Sequence, residues 1–274
     1  MRHSTTDETH KAQWVDVEGG QIPLSTHGAG ASAILFLHGW TLDHRIWQPQ
    51  FDDQALAQSF RLVAIDRRGF GASKAPPDLD REPEDIIAVL DHLDVDRVIL
   101  VGQSQAGRAA LRFANQHPGR TAGLVLVGSP IGGLEPGPAP GEDVPLEHYR
   151  ALATADRLDE MKQLWAAHPM IQGGSGTTHA PMAAMLANYT GQDLLAPAPQ
   201  PGPDIGGLGA ITAPALVITG THDTAWRRRV GDAIAVALPH GTRAEIPEGG
   251  HLCNADAPAA FNRLLSRFAE SVCV

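Results

Sequence analysis

The stretch VGQSQAGRAAL, residues 101–111, places Ser104 between an apolar run and a helical pattern. The run RVILVG (97–102) is typical of a buried strand, and the AGRAALRFANQH that follows is typical of a helix. So short a turn strains its central residue and projects that side chain above the edge of the sheet. Ser104 is therefore a candidate nucleophile, and the alternative interpretation is a serine that caps the helix.

The residues flanking Ser104 have to be small for such a turn to close. Gly102 meets this requirement two residues before the serine. Two residues after it, Ala106 stands where the pattern G-x-S-x-G has glycine, and Gly107 follows. The extra methyl group predicts a slightly tighter turn.

Further apolar runs alternate with helical patterns along the chain. The runs are AILFL (33–37), RLVAID (61–66), AGLVLVG (122–128), PALVITG (214–220) and TRAEIP (242–247), and the helical patterns cover 46–58, 82–94, 105–117, 225–238 and 256–270. Runs this apolar indicate strands buried on both faces of a parallel sheet. Near the N-terminus, WVDVEGGQIPLST has the alternation of a β-hairpin. The predicted class is α/β, with a mostly parallel central sheet flanked by helices.

One long segment, 130–209, interrupts this alternation. It contains no predicted buried strand, and proline- and glycine-rich stretches flank helical patterns around 145–167 and 179–190. We predict a disordered tail over 1–12, a core made of 13–129 and 210–274, and a helical lid over 130–209. The lid would cover the carboxyl ends of the strands, where open α/β sheets bind ligands.

Composition narrows the function classes. The 274 residues carry a formal charge of −10, which disfavours nucleic acid and anionic membranes as partners because both require clustered positive charge. The apolar runs are far shorter than the ~20 residues of a membrane helix, and the N-terminus lacks the apolar stretch of a signal peptide. We expect a cytoplasmic protein with a small-molecule partner and two free thiols, Cys253 and Cys273. The sequence leaves a homo-oligomer open.

A serine hydroxyl becomes a good nucleophile only when a base takes its proton and a carboxylate orients that base. His251, in IPEGGHLCNADAP, follows the last predicted strand, and Asp223, in VITGTHDTAW, follows the strand before it. Both should reach the same edge of the sheet as Ser104. The chain order Ser, Asp, His is the one that enzymes built on this type of sheet use.

Five motifs in order carry a resemblance to a known family: HGW (38–40), DRRGFGAS (66–73), GQSQAG (102–107), GTHD (220–223) and EGGH (248–251). The chain resembles the α/β-hydrolase fold superfamily over nearly its whole length, in the serine-nucleophile branch of enol-lactonases, carboxylesterases and cofactor-free haloperoxidases. The resemblance implies no cofactor. It assigns the nucleophile, acid and base to Ser104, Asp223 and His251, the oxyanion hole to the backbone amides of Trp40 and Gln105, and a loop-shaping role to His38 and Gly39.

The lid contributes candidate pocket residues. Its large apolar side chains either line an acyl or aromatic pocket or pack the lid onto the core, and both interpretations stay open for Trp165, Met170, Met182, Met185 and Tyr189. No metal site is predicted, because none of the thirteen histidines lies in a motif with ligand spacing.

The leading functional hypothesis is a serine hydrolase that cleaves a small carboxylic ester or lactone through an acyl-enzyme. Three alternatives use the same triad: hydrolysis of a C–C bond in a vinylogous diketone, perhydrolysis of the haloperoxidase type, and acyl transfer to an alcohol. Oxygen chemistry without a cofactor is a further possibility on this fold. From another class, a ligand-binding receptor with a slow or vestigial triad also fits, since a fold does not determine a function.

Overall fold

The central sheet has eight strands, and a computed structural model describes residues 13–174 and 179–273 around it. The strands are β1 (Gln13–Val17), β2 (Gly20–His27), β3 (Ser32–Leu37), β4 (Phe60–Ile65), β5 (Val98–Gln103), β6 (Thr121–Val127), β7 (Ala215–Gly220) and β8 (Gly241–Ile246). Their order across the sheet is β1-β2-β4-β3-β5-β6-β7-β8. The hairpin β1–β2 and the β2–β4 pair are antiparallel, and all other pairs are parallel. The predicted tail over 1–12 lies outside the described residues.

Helices connect these strands and fill the segment between β6 and β7. They are α1 (Gln48–Phe51), α2 (Gln54–Ser59), α3 (Glu82–His92), α4 (Ala106–Gln116), α5 (Leu146–Thr154), α6 (Leu158–Ala166), α7 (Pro169–Gln172), α8 (His179–Asn188), α9 (Gln192–Leu195), α10 (Ala225–Ala237), α11 (Cys253–Asp256) and α12 (Pro258–Val272). Short 3-10 turns cover His44–Trp47, Pro118–Arg120 and Ile205–Ala210. The predicted α/β class with a mostly parallel sheet and flanking helices is confirmed.

Two predicted helices are each broken into shorter pieces. The pattern over 46–58 divides into a 3-10 turn, α1 and α2, because Asp53 has an extended backbone and its carboxylate accepts the amides of Ala55 and Leu56 as an N-cap. The pattern over 145–167 divides into α5 and α6 around Asp156, whose φ of +56° is left-handed. Apolar spacing continues across both breaks, so it could not reveal them.

Alternate residues of the central strands pack on opposite faces of the sheet. On β5, Val98 and Leu100 join the apolar cluster under α3, α4 and α10, whereas Ile99 and Val101 join the cluster under α12. The second cluster continues into the segment between β6 and β7 through Tyr149 and other buried side chains. Each large apolar side chain buried in this way stabilises the fold by roughly 1.5–3 kcal/mol.

The parallel strands bring three connections to one edge of the sheet: the turn after β5, the turn after β7 and the loop after β8. Helices α5 to α9 pack beside this edge. Side chains of α5 and α6, together with Tyr189 directly after α8, contact Trp40 after β3. In the described part of the chain, no helix combines the length and apolarity needed to cross a membrane.

Candidate active site

Ser104 lies in the sharp turn between β5 and α4, and its φ is +50°. A non-glycine residue in this region is strained by about 1–3 kcal/mol, which the surrounding contacts must offset. The Ser104 amide donates to the carbonyl oxygen of Val127 at 2.7 Å, which ties the turn to β6. The hydroxyl group is half-buried and faces a cavity, as the sequence predicts for a strand–turn–helix serine.

Two glycines around the turn leave no room for a side chain. A Cβ at Gly102 would lie 2.9 Å from the carbonyl oxygen of Ala106, and one at Gly107 would overlap the side chain of Ser129. Ala106 itself is buried at the first position of α4. The close approach of α4 to the sheet therefore falls at Gly107, one residue after the glycine of G-x-S-x-G.

The structure brings together the three residues predicted as a triad. Ser104 Oγ lies 2.9 Å from His251 Nε2, and His251 Nδ1 lies 2.9 Å from Asp223 Oδ2. His251 and Asp223 are buried, with 3% and 5% of their surface exposed. The second carboxylate oxygen of Asp223 accepts the amide of Thr224 at 2.8 Å, so both oxygens are engaged. Neutral His251 with its proton on Nδ1 can therefore accept the Ser104 proton at Nε2.

Gly128, directly after β6, leaves no room for a side chain beside the His251 ring. Its φ is +56°, and a Cβ would lie 2.8 Å from Cε1 and 2.9 Å from Nδ1 of the His251 ring. The imidazole thus occupies the space that a side chain at this strand end would need. The carboxylate reaches His251 from the next strand instead, through Asp223.

The predicted oxyanion-hole amides are unoccupied donors. In residues 13–174 and 179–273, neither the Trp40 nor the Gln105 amide has a hydrogen-bond acceptor. Gly39 brings their two loops together, because its Cβ position would be 3.4 Å from Cβ of Ser104. Unpaired backbone amides next to a nucleophile are the donors that a developing oxyanion requires.

Gln103 holds the oxyanion loop and the histidine loop together, a role that the sequence analysis missed. This fully buried amide accepts the Gly39 amide at 3.3 Å and donates to Asn254 Oδ1 at 2.8 Å. Asn254 in turn donates to the carbonyl oxygen of Ile46 and contacts Gln50. No local pattern signals this network, since Gln103 and Asn254 are 151 residues apart.

His38 and Arg67 form hydrogen bonds that hold the loop after β3 in place. His38 Nδ1 donates to the Gly39 carbonyl oxygen at 2.8 Å, and its Nε2 accepts the Arg67 amide at 3.0 Å. Burial, reinforced by the Arg67 charge, lowers the pKa of His38 to about 4. The Arg67 guanidinium pairs with Glu82 and donates to Gln105 Oε1 at 3.0 Å, so it also supports the second predicted amide.

A cavity of about 270 Å³ opens above Ser104. Its walls comprise, among others, Trp40, Arg108, Val144, Leu146, Trp165 and Ile171. Of the five predicted pocket residues, Trp165 lines this cavity. The other four are buried in the apolar cluster and do not line it: Met170, Met182, Met185 and Tyr189. Their apolar side chains pack the helices together, which is the second of the two interpretations that the sequence left open.

The Trp40 ring is held by a carboxylate that the sequence analysis did not single out. Its Nε1 donates to Asp193 Oδ2 at 2.7 Å, and Tyr189 donates to the other oxygen of Asp193. Burial raises the pKa of Asp193, and the two hydrogen bonds oppose that rise. This contact joins the loop after β3 to α9 and to Tyr189, which directly follows α8.

One cluster outside the cavity has metal-ligand chemistry. Ligand atoms of Asp43, His44 and Asp66 lie within 4.8 Å of one another. His44 Nδ1 is 2.6 Å from Asp66 Oδ1, and Asp43 pairs with Arg45. These contacts account for the cluster, and we propose no metal there.

The fold and the site together define an α/β protein with a Ser–His–Asp chain at the carboxyl edge of its sheet. The sequence model of the alpha/beta hydrolase family matches residues 34–264, and the chain belongs to this family. The family resemblance that the five motifs indicate is confirmed. This membership supports the assignment of the chain to the hydrolase class of enzymes.

Three relatives illustrate the range of this similarity. A 2-hydroxy-6-oxononadienedioate/2-hydroxy-6-oxononatrienedioate hydrolase from Cupriavidus pinatubonensis (strain JMP 134 / LMG 1197) is 28% identical over 286 aligned positions, which cover 95% of this chain and 96% of that protein. Est816, a solved structure described as an N-acyl homoserine lactone degrading enzyme, is 25% identical with a TM-score of 0.73, covering 93% of this chain and 100% of its own. The enol-lactonase from Burkholderia xenovorans LB400 is 21% identical with a TM-score of 0.78, covering 94% and 100%, and shows the shared fold.

Proposed function

We propose that this protein is a serine hydrolase that cleaves a small carboxylic ester or lactone through an acyl-enzyme on Ser104. The observation that carries the proposal is the continuous chain of hydrogen bonds from Ser104 Oγ through His251 to Asp223, with both distances at 2.9 Å. Nucleophile, base and acid are thus in contact before any substrate binds. The similarity to Est816 supports a lactone or ester as the acyl donor.

In the first half-reaction, Ser104 Oγ attacks the acyl carbonyl carbon while His251 Nε2 takes the hydroxyl proton. Asp223 stabilises the resulting imidazolium, and the amides of Trp40 and Gln105 donate to the oxyanion. The tetrahedral intermediate collapses as His251 returns the proton to the leaving alkoxide. In a lactone the alkoxide stays attached to the acyl chain.

In the second half-reaction, a water molecule attacks the acyl-enzyme. His251 takes a proton from this water as its oxygen attacks the acyl carbon, and Ser104 leaves with that proton as the free acid forms. Replacing Asp223 by Asn should lower kcat on the order of 10⁴-fold, because the wrong imidazole tautomer would face Ser104. The half-buried position of Ser104 leaves it open to both acyl donor and water.

Hydrolysis of a C–C bond is a second candidate, favoured by the relative from Cupriavidus. The compound in that protein's name contains an oxo group and no ester or lactone, so its hydrolysis must break a carbon–carbon bond. The same triad and oxyanion donors serve both reactions, since each needs attack on a carbonyl carbon. A 2-hydroxy-6-oxodienoic acid separates them, because cleavage destroys its conjugated absorbance.

Labelling with a fluorophosphonate probe, followed by turnover of an ester and lactone panel, tests the proposal. We expect wild-type protein to be labelled and to hydrolyse members of the panel, and Ser104→Ala to lose both. Ser129→Ala is the matched control, because Ser129 is a buried serine beside the same turn whose hydroxyl bonds the Gly102 carbonyl oxygen. Labelling without turnover of esters, lactones or the dienoic acid would favour a ligand-binding receptor, and unchanged turnover in Ser104→Ala would refute the mechanism.

A further inference from the structure

Arg108 lies four residues after Ser104, in the first turns of α4, and lines the cavity above the serine. It also lines a second cavity of about 340 Å³, beside Asp193 and the segment 196–200. Gln105 and Leu146 share this position, since both belong to the walls of the two cavities. The two cavities therefore adjoin at Arg108.

The charge of Arg108 has no carboxylate partner in residues 13–174 and 179–273. Its Nη2 donates to the Gln200 carbonyl oxygen at 2.9 Å, and its buried Nε has no acceptor. Two neighbouring arginines have such a partner: Arg112, one turn further along α4, pairs with Asp80, and Arg227 in the same cavity wall pairs with Asp143. Arg150, in the wall of the second cavity, donates to the Ala196 carbonyl oxygen. Burial, reinforced by Arg112 and opposed by the more distant charges of Glu82 and Asp80, lowers the pKa of Arg108.

The guanidinium is also held in place by the chain. A Cβ at Gly202 would lie 2.9 Å from Arg108 Nε, so this edge of the group packs against backbone. A guanidinium has five N–H donors, and the bond to Gln200 engages one of them. A fixed, partly buried cation with unused donors in a cavity wall is stabilised by an anionic ligand.

We propose that Arg108 binds a carboxylate of the substrate, so that the preferred substrate is a short acyl compound with a carboxylate at the end distant from the scissile carbonyl. A half-ester of a dicarboxylic acid and a lactone bearing a carboxylate are the two simplest members of this class. Ser104 and Arg108 line the same cavity, so a short acyl chain lying in it can contact both residues. This inference rests on the proposed function and adds its substrate class.

The test compares two chromogenic esters that differ in one charge: 4-nitrophenyl hydrogen adipate and the same compound with its distal carboxyl methylated. We expect wild-type protein to prefer the charged ester in kcat/KM, and Arg108→Gln to lower this preference about 10- to 100-fold, the effect of a hydrogen bond to a charged group. Arg267→Gln is the matched control, because this arginine is exposed on α12 and lies outside both cavity walls. A purely structural role of Arg108 would lower the two rates equally.

Two outcomes overturn the inference: equal kcat/KM for both esters in wild-type protein, or the same preference in wild-type and Arg108→Gln. The first needs no variant and holds even if Arg108→Gln does not fold. Calorimetric binding of adipate, compared with adipamide, separates this inference from the proposed function because it needs no turnover. Adipate binding that is lost in Arg108→Gln and kept in Arg267→Gln supports the anion site even if Ser104 proves unreactive. Ester hydrolysis that depends on Ser104 without any charge preference overturns the anion site alone.

Discussion

The buried imidazole of His38 should make the folded chain sensitive to acid. In the folded protein its Nε2 accepts the Arg67 amide and its pKa is about 4, whereas the unfolded chain binds a proton near 6.5. Between these values the unfolded state therefore carries more protons, and the free energy of unfolding falls as the pH decreases. At about 1.4 kcal/mol per pKa unit, the loss that His38 causes between pH 7 and pH 4 is about 3 kcal/mol.

Urea unfolding followed by tryptophan fluorescence, at intervals from pH 7 to pH 4, measures this loss. His38→Gln should be less stable than wild-type protein at pH 7 and should lose about 3 kcal/mol less on acidification, because glutamine does not titrate. His240→Gln is the control, since His240 is exposed in the turn before β8. Carboxylates titrate in all three proteins, so the difference isolates His38. Parallel pH profiles for wild-type and His38→Gln would refute the reasoning.

Three further substitutions test the supporting contacts. Gln103→Leu leaves the Gly39 amide and Asn254 Oδ1 without these partners and should lower the free energy of unfolding in urea titrations by about 2 kcal/mol or more. Unchanged stability would show that the Gln103 hydrogen bonds do not stabilise the fold. Asp193→Ala removes the acceptor of Trp40 Nε1, so we expect a similar loss of stability and an altered tryptophan emission spectrum. An unaltered spectrum would count against the hydrogen bond between Trp40 and Asp193. Gly107→Ala should destabilise the protein by about 1–3 kcal/mol in thermal unfolding, because the added methyl group overlaps Ser129. Ser129→Gly in the same chain should restore part of that loss. A Gly107→Ala protein as stable as wild type would contradict the close approach of α4 to Ser129.

The site residues that directly follow strands could be predicted from the sequence. Parallel strands deliver their carboxyl ends to one edge, so residues just after three apolar runs had to lie near one another. Ser104, Asp223 and His251 are such residues, and the structure brings them within hydrogen-bond distance. The apolar runs also predicted the strand bounds to within one residue.

Contacts between residues far apart in the chain could not be predicted from the sequence. The pairing of Gln103 with Asn254 joins segments 151 residues apart, and no periodicity encodes it. In DRRGFGAS, two adjacent arginines look alike, yet Arg67 supports Gln105 whereas Arg68 pairs with the buried Asp85. For the large side chains between β6 and β7, hydrophobicity predicts burial, but it does not distinguish a cavity wall from a packed core.

The central claim, that Ser104 carries the acyl group, is tested most directly by mass spectrometry of protein quenched during turnover of a 4-nitrophenyl ester. We predict an acyl adduct on the peptide containing Ser104 in wild-type protein, and its absence in Ser104→Ala together with loss of hydrolysis. His251→Gln should form the adduct far more slowly, because Ser104 then lacks its base. Continued hydrolysis by Ser104→Ala, or an adduct on any other residue that accounts for turnover, would contradict the account.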